Sequence, residues 1–279
     1  MNIASYAHWV GKTQTIDDQI SPSPVRRMCA TLDYAPGRGS HEALPPLWHW
    51  LYFLPDDRQS RIGPDGHPQR GGFLPPVTLP RRMWAGGRLR FLRPLVMGAE
   101  VRRVSRILSV QSKEGRSGNL VFVTVLHEVS TAEGLAVSEE QDIVYRDAPA
   151  PGVAAPEPPE APSDARFSHV VTPDPVMLMR YSALTFNGHR IHYDRPYCIE
   201  EEGYPGLVVH GPLIATLLME TLGSAHPGRR VAGFAFKAVS PLFDTQPFTV
   251  AGRVDDQDAR LWACNPQGRL AMSASATFA

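Results

Sequence analysis

The stretch "HGPLIATLLMETLG", residues 210–223, reads as a helix with no polar face. Leu213, Leu217 and Thr221 recur at i,i+4, and Ile214, Leu218 and Leu222 run beside them. A helix that is apolar nearly all round belongs inside a fold rather than on its surface. Pro212 suits its first turn and Gly223 its exit.

What covers this helix follows in the chain. "VAGFAFKAVSPLFDTQPFTVAGRV" runs through a strand, a Pro241-Leu242 step and a second strand; "ARLWAC" (259–264) and "RLAMSASATF" (269–278) then form a hairpin across "NPQG". The loops are too short for crossovers, so the strands form an antiparallel meander. The amino-terminal half repeats the pattern. "GGRLRFLRPLVMGAEVRRVSRILSVQ" carries Pro94-Leu95 at the equivalent step, followed by strands at 118–130 and 135–145 with "KEGRSG" and "TAEG" as turns. Its matching helix candidate is "LPPLWHWLYFLP", 44–55, which is shorter and framed by prolines. One buried helix wrapped by a curved antiparallel sheet, written twice, gives an α+β fold with an internal duplication. "DAPAPGVAAPEPPEAPSDA" (147–165) is Pro/Ala-rich and reads as a linker that packs as neither helix nor sheet. The expected division is therefore 1–146, linker 147–165, and 166–279.

The totals exclude several classes. Of 279 residues, 43% are apolar and 20% charged, with formal net charge zero, so neither nucleic acid nor an anionic membrane is favoured as a partner. Cys29, Cys198 and Cys264 are widely spaced and form no zinc pattern, which points to a reducing compartment. The amino terminus lacks a secretory pattern and no run is suited to cross a bilayer, so a cytoplasmic location is expected. No nucleophile elbow and no phosphate loop appear.

The chemistry concentrates in "YSALTFNGHRIHYDRPY", 181–197, just ahead of the buried helix. The string "FNGHRIHYD", with His210-Gly211 following eighteen residues after His192, resembles the signature of the MaoC-like (R)-specific hydratases. That family has an Asp, an Asn two later and a His five later, then a His-Gly pair that opens the central helix of a hotdog fold. Here those places hold Asn187, His189, His192 and His210-Gly211. The resemblance covers about 170–279. The first half, with "PRRMWAGG" at 80–87, looks like the degenerate amino-terminal hotdog of double-hotdog dehydratases. With Asn in the Asp place and "HRIHYD", the chain is similar to the mesaconyl-C4-CoA and itaconyl-CoA hydratases, and to the type 2 3-hydroxyacyl thioester dehydratases. The resemblance implies a double hotdog and a hydro-lyase acting on an acyl-CoA thioester, with coenzyme A as part of the substrate and no separate cofactor. A homodimer is also expected.

Water addition to an α,β-unsaturated thioester needs a proton carrier, a held water and a donor for the enolate oxygen. His192 suits the proton work, because imidazole titrates near physiological pH. The Gly211 N–H, at the start of a buried helix, has no partner within the helix and points along the dipole toward negative charge. Asn187 cannot act as a base but can hold water or the 3-hydroxyl. His189 and His210 are open between a substrate contact and a structural role, and Asp194 between a turn residue and an orienter of His192. A metal on His189, His192 and Asp194 is not expected, since His-x-x-His on a strand or loop splits the rings to opposite faces. For a C5 dicarboxylic substrate a cation should meet the free carboxylate, with Arg190, Arg81 and Arg82 as candidates. A non-catalytic thioester-binding module and a thioester hydrolase are the competing functions.

Overall fold

The structure is a computed structural model describing residues 6–34, 43–115, 118–147 and 157–279. Among the described residues, ten strands form one sheet. In the first half these are β1 (Thr13–Gln19), β2 (Arg81–Phe91), β3 (Glu100–Gly115), β4 (Gly118–Thr131) and β5 (Gly134–Arg146); in the second, β6 (Phe167–Val171), β7 (Val231–Ala238), β8 (Phe248–Asp255), β9 (Asp258–Cys264) and β10 (Leu270–Phe278). The order across the sheet is β1-β3-β4-β5-β2-β7-β10-β9-β8-β6. Read outward from the β2–β7 seam, each half repeats the other's topology strand for strand, and the two join edge to edge from Gly86↔Lys237 to Arg90↔Gly233.

The duplication extends to single hydrogen bonds. After β2, the Leu92 and Arg93 N–H groups donate to the Ala136 carbonyl; after β7, those of Val239 and Ser240 donate to Ala271. Beside the two Pro-Leu steps, Leu44 N–H donates to Leu95 O and Val209 N–H to Leu242 O. Each edge strand is followed by a short helix, α1 (Pro22–Thr31) and α2 (Pro175–Leu184), both with proline in the first turn. Asp174 caps α2 by accepting from Met177 N–H at 2.8 Å.

The helix at 210–223 is present as α4 (Gly211–Ala225), after a short α3 (Arg195–Glu200). It buries Leu213, Ile214, Ala215, Thr216, Leu217, Leu218, Met219 and Leu222, which accounts for its lack of a polar face. Each such leucine contributes roughly 1.5–3 kcal/mol by leaving water. Strands β6, β8, β9 and β10 wrap it, and the whole is the double hotdog.

The matching helix expected at 44–55 is not there. That segment holds one 3₁₀ turn, Trp48–Leu51. Pro45 and Pro46 remove two donors, and Leu47 and Phe53 take positive φ (72° and 54°), which stops a helix at both ends. Bulky rings fill the space instead. Trp48 Nε1 donates to Glu220 on α4 at 2.8 Å, and His49 Nε2 and Trp50 Nε1 meet the buried Glu139 carboxylate at 2.8 and 3.0 Å.

The linker also differs from expectation in its described part. Leu270 N–H donates to Pro159 O and Ala161 N–H to Gly268 O, both 2.8 Å, so this stretch lies along the β9–β10 hairpin. Proline disfavours central strands but is compatible with such edge contacts. Residues 148–156 of the linker lie outside the described residues. No described helix is long and apolar enough to cross a membrane.

Candidate active site

The chain leaves α2 through Phe186, at φ 47°, and enters the motif. Asn187 N–H donates back to Ser182 O at 2.8 Å, and Asn187 Oδ1 accepts the His189 N–H at 3.0 Å. This closes an Asx turn and takes one of the amide oxygen's two lone pairs, which fixes the direction of the Asn187 side chain. Residues Arg190–His192 then form a 3₁₀ turn. With three residues per turn, His189 and His192 come onto one side, their ring centroids 5.5 Å apart. The opposite-face expectation is thus corrected: the motif lies on neither a strand nor an extended loop.

His192 is buried, 7% exposed. Its Nδ1 lies 2.7 Å from the Val208 carbonyl, which can only accept, so Nδ1 carries the hydrogen and Nε2 offers a lone pair. Its ring stacks on His210 at 3.7 Å between centroids. Burial drives the His192 pKa down to about 4, so the ring is neutral at physiological pH. His210 caps α4 by its backbone only. Its Nε2 meets Ser182 Oγ at 2.8 Å, its Nδ1 is buried with no partner among the described residues, and burial lowers its pKa far below the usual value.

Gly211 follows directly. The first intrahelical bond of α4 runs from Ile214 N–H to His210 O, so the Gly211 N–H is free of the helix ladder. A Cβ built on Gly211 would meet nothing within 4 Å, so there is open space against the backbone at the helix tip. The His192 ring and this tip are thereby brought together through His210.

The remaining expected residues divide. Asp194 caps α3 through Tyr197 N–H at 3.2 Å and pairs with Arg190 at 2.8 Å; it makes no bond to His192, so it is a turn residue rather than an orienter. Arg190 is consumed by Asp194, the Pro64 carbonyl and the face of Tyr197. Arg81 is consumed by the Glu202 carboxylate and carbonyl. Arg82 makes no ion pair with a carboxylate among the described residues, and its charge acts on His67, His189 and Tyr145. Cys198 is buried against the Gly206 and Ile191 carbonyls, away from any chemistry.

Sequence reasoning missed a loop from the first half. Arg190 N–H donates to Asp65 O at 2.9 Å, and Gly66 and Gly188 approach so closely that a Cβ on Gly66 would fall 1.8 Å from Gly188 O. His67 on this loop packs on His189 at 4.0 Å between centroids, and its Nδ1 meets Asp65 Oδ2 at 3.1 Å. Burial lowers the pKa of His67, and drives that of His189 to about 2. Asp65, His67 and His189 each offer a ligand atom within 4.8 Å of the others, in place of the His189, His192 and Asp194 set weighed from sequence. The loop's "GPDGHP" does carry a legible signal, a Gly/Pro-rich turn enclosing a histidine beside a carboxylate, but nothing local says where it docks.

The chain is 50% identical over 278 residues to mesaconyl-C(4)-CoA hydratase of Chloroflexus aurantiacus, covering 99% of this chain and 98% of that one. It is 28% identical over 266 residues to the mitochondrial hydroxyacyl-thioester dehydratase type 2 of Schizosaccharomyces pombe, covering 84% and 88%. A solved MaoC-like dehydratase from Phytophthora capsici shares the fold, with a TM-score of 0.72 at 14% identity over 100% of this chain and 99% of that one. The sequence family described as hydroxyacyl-thioester dehydratase type 2 matches residues 47–244, and the chain belongs to that family.

Proposed function

We propose that the protein is a hydro-lyase that adds water to the α,β double bond of a short C5 dicarboxylic acyl-CoA, mesaconyl-C4-CoA. The observation that carries the reading is the neutral, carbonyl-anchored His192 stacked on the residue that precedes Gly211, with open space at the helix tip. His192 Nε2 takes a proton from water as the oxygen bonds to Cβ. The π pair moves toward Cα and the thioester oxygen, where the Gly211 N–H and the helix dipole stabilise the charge. The imidazolium returns the proton to Cα. Coenzyme A enters as part of the substrate, and no further cofactor is required by these steps.

Arg82 supports the dicarboxylic substrate. In mesaconyl-C4-CoA the free carboxylate sits on the carbon that water attacks, so its receptor must lie beside the proton-handling groups. Of the three arginines considered, Arg82 alone has no carboxylate partner among the described residues; it meets the Tyr145 hydroxyl, and its charge acts on His67 and His189. The likeness to mesaconyl-C(4)-CoA hydratase favours the same substrate. A 3-hydroxyacyl thioester dehydratase of fatty acid metabolism is the second reading, favoured by the family match. The experiment is a panel of enoyl-CoAs with wild type and Arg82→Met. On this reading wild type prefers mesaconyl-C4-CoA. Arg82→Met loses about 10- to 100-fold in kcat/KM on it, as expected for a charge-assisted pair, and little on crotonyl-CoA. Preference for long straight chains would select the second reading. A cytoplasmic homodimer completes the proposal, with three widely spaced cysteines favouring a reducing compartment.

A further inference from the structure

We propose that His67, its ring fixed by Asp65, is the second hydrogen-bond acceptor for the reacting water and fills the place left by the missing carboxylate at position 187. The inference rests on the water-addition reading. Water brings two hydrogens to the reaction. One is transferred, and the other must be held so that an oxygen lone pair faces Cβ. His192 Nε2 takes the first. Asn187 Oδ1 already accepts the His189 N–H, which takes one of its two lone pairs and fixes the amide's direction, whereas His67 Nε2 is an acceptor with no partner among the described residues.

His67 is built for this task. Asp65 grips it twice, through Oδ1 to the His67 N–H at 3.0 Å and through Oδ2 to Nδ1 at 3.1 Å. The carboxylate can only accept from Nδ1, so Nε2 is left with a lone pair. The loop is fastened onto the catalytic motif by backbone groups, the Asp65 and Pro64 carbonyls accepting from Arg190. Its ring continues the row His67–His189–His192, with 4.0 and 5.5 Å between successive centroids. Of the histidines in this cluster, His67 alone has a carboxylate partner among the described residues; His192 rests on a carbonyl and His210 on a hydroxyl. The charged groups acting on His67 are Asp65, Arg82 and Arg70, and His67 in turn acts on His189 and His192.

Atoms and electrons balance. The O–Cβ bond forms, the C=C π pair moves to the Cα side, one water proton passes through His192 to Cα, and the second stays on oxygen, donated to His67 Nε2. In the reverse direction the departing hydroxyl keeps the same hydrogen bond. His67 is then a catalytic residue, and Asp65 a positioning residue acting through it.

The test is steady-state hydration of mesaconyl-C4-CoA by His67→Phe, His67→Gln, Asp65→Ala and Asp65→Asn, each checked by thermal melting. The anchoring bonds are to backbone carbonyls, so they survive side-chain changes at 67. The expected result is a loss of about 100-fold in kcat for His67→Phe with KM little changed, and partial recovery in His67→Gln, whose amide oxygen still accepts. Asp65→Ala should lower kcat less, and Asp65→Asn should recover part of that loss. His67→Phe turning over within twofold of wild type would overturn the proposal, as would equal losses in His67→Phe and His67→Gln. Activity lost on dialysis against chelator and restored by Zn²⁺ would also overturn it, making the same side chains metal ligands. Wild type inert toward every enoyl-CoA tested would sink the water-addition reading and this proposal with it, an outcome distinct from an active wild type indifferent to position 67.

Discussion

At position 211 the side chain is a hydrogen, and a substituent there would meet no protein atom within 4 Å. The space is therefore available to a ligand rather than needed for packing. Gly211→Ala is expected to melt at or above the wild-type temperature, since alanine favours a helix by up to about 1 kcal/mol over glycine. Its kcat/KM should fall by about tenfold or more, because the methyl stands where the thioester oxygen approaches. Melting curves and enoyl-CoA kinetics on one preparation check both halves of this expectation. The part of the site that was legible in sequence is the part that is local. His189, His192, His210 and Gly211 fall within one short run and its following helix. What was not legible is how side chains pair and what arrives from afar: that Asn187 Oδ1 accepts the His189 N–H, that Arg190 pairs with Asp194 and Arg81 with Glu202, and that His67 and Asp65 come from the other half.

The loop that carries Asp65 and His67 shows what a single element demands. Gly66 has φ +88°, and its Cα faces the Gly188 carbonyl with no room for a methyl. Gly66→Ala is expected to lift this loop from the motif, costing about 1–3 kcal/mol of stability and most of the turnover. Denaturant melts and hydration rates measure this, and a variant active at the wild-type rate would show that the loop's docking does not matter. At the same scale, the strands with long alternating runs and the apolar α4 were readable from periodicity, because burial on one face or all round imposes it. The edge strands β1 and β6 are short, and β1 is largely exposed, so no pattern marks them. The segment 44–55 misled because apolar content alone suggested a helix. Its prolines and the indole partners Glu220 and Glu139 decide a different packing.

Across the whole molecule, buried neutral histidines set the response to pH. Burial lowers the pKa of His192 and of His127 to about 4, and that of His189 to about 2, from 6.5. The unfolded chain therefore binds protons that the folded one refuses as pH falls below about 6.5, so stability rises with pH across this window. For His192 the difference down to pH 4 is on the order of 3 kcal/mol. Glu139 adds to the trend at lower pH. Burial pushes it up, but its hydrogen bond to His49 and the neighbouring charges bring it to about 2, so its contribution is lost as pH falls from 4.5 toward that value. Melting temperature should be highest at neutral pH and drop steeply below about 6, and a flat profile from pH 7 to 5 would contradict the buried, neutral cluster. The duplication that joins the two halves at β2–β7 is what brings a first-half loop to a second-half motif, so the site belongs to the pair.

The central claim is that His192 moves the proton while water adds to an enoyl thioester. Its most direct measurement is hydration of mesaconyl-C4-CoA, followed by loss of the conjugated-thioester absorbance, for wild type beside a folded His192→Ala. The account predicts turnover by wild type and a fall of about 100-fold or more in the variant. Equal rates in the two proteins would contradict it.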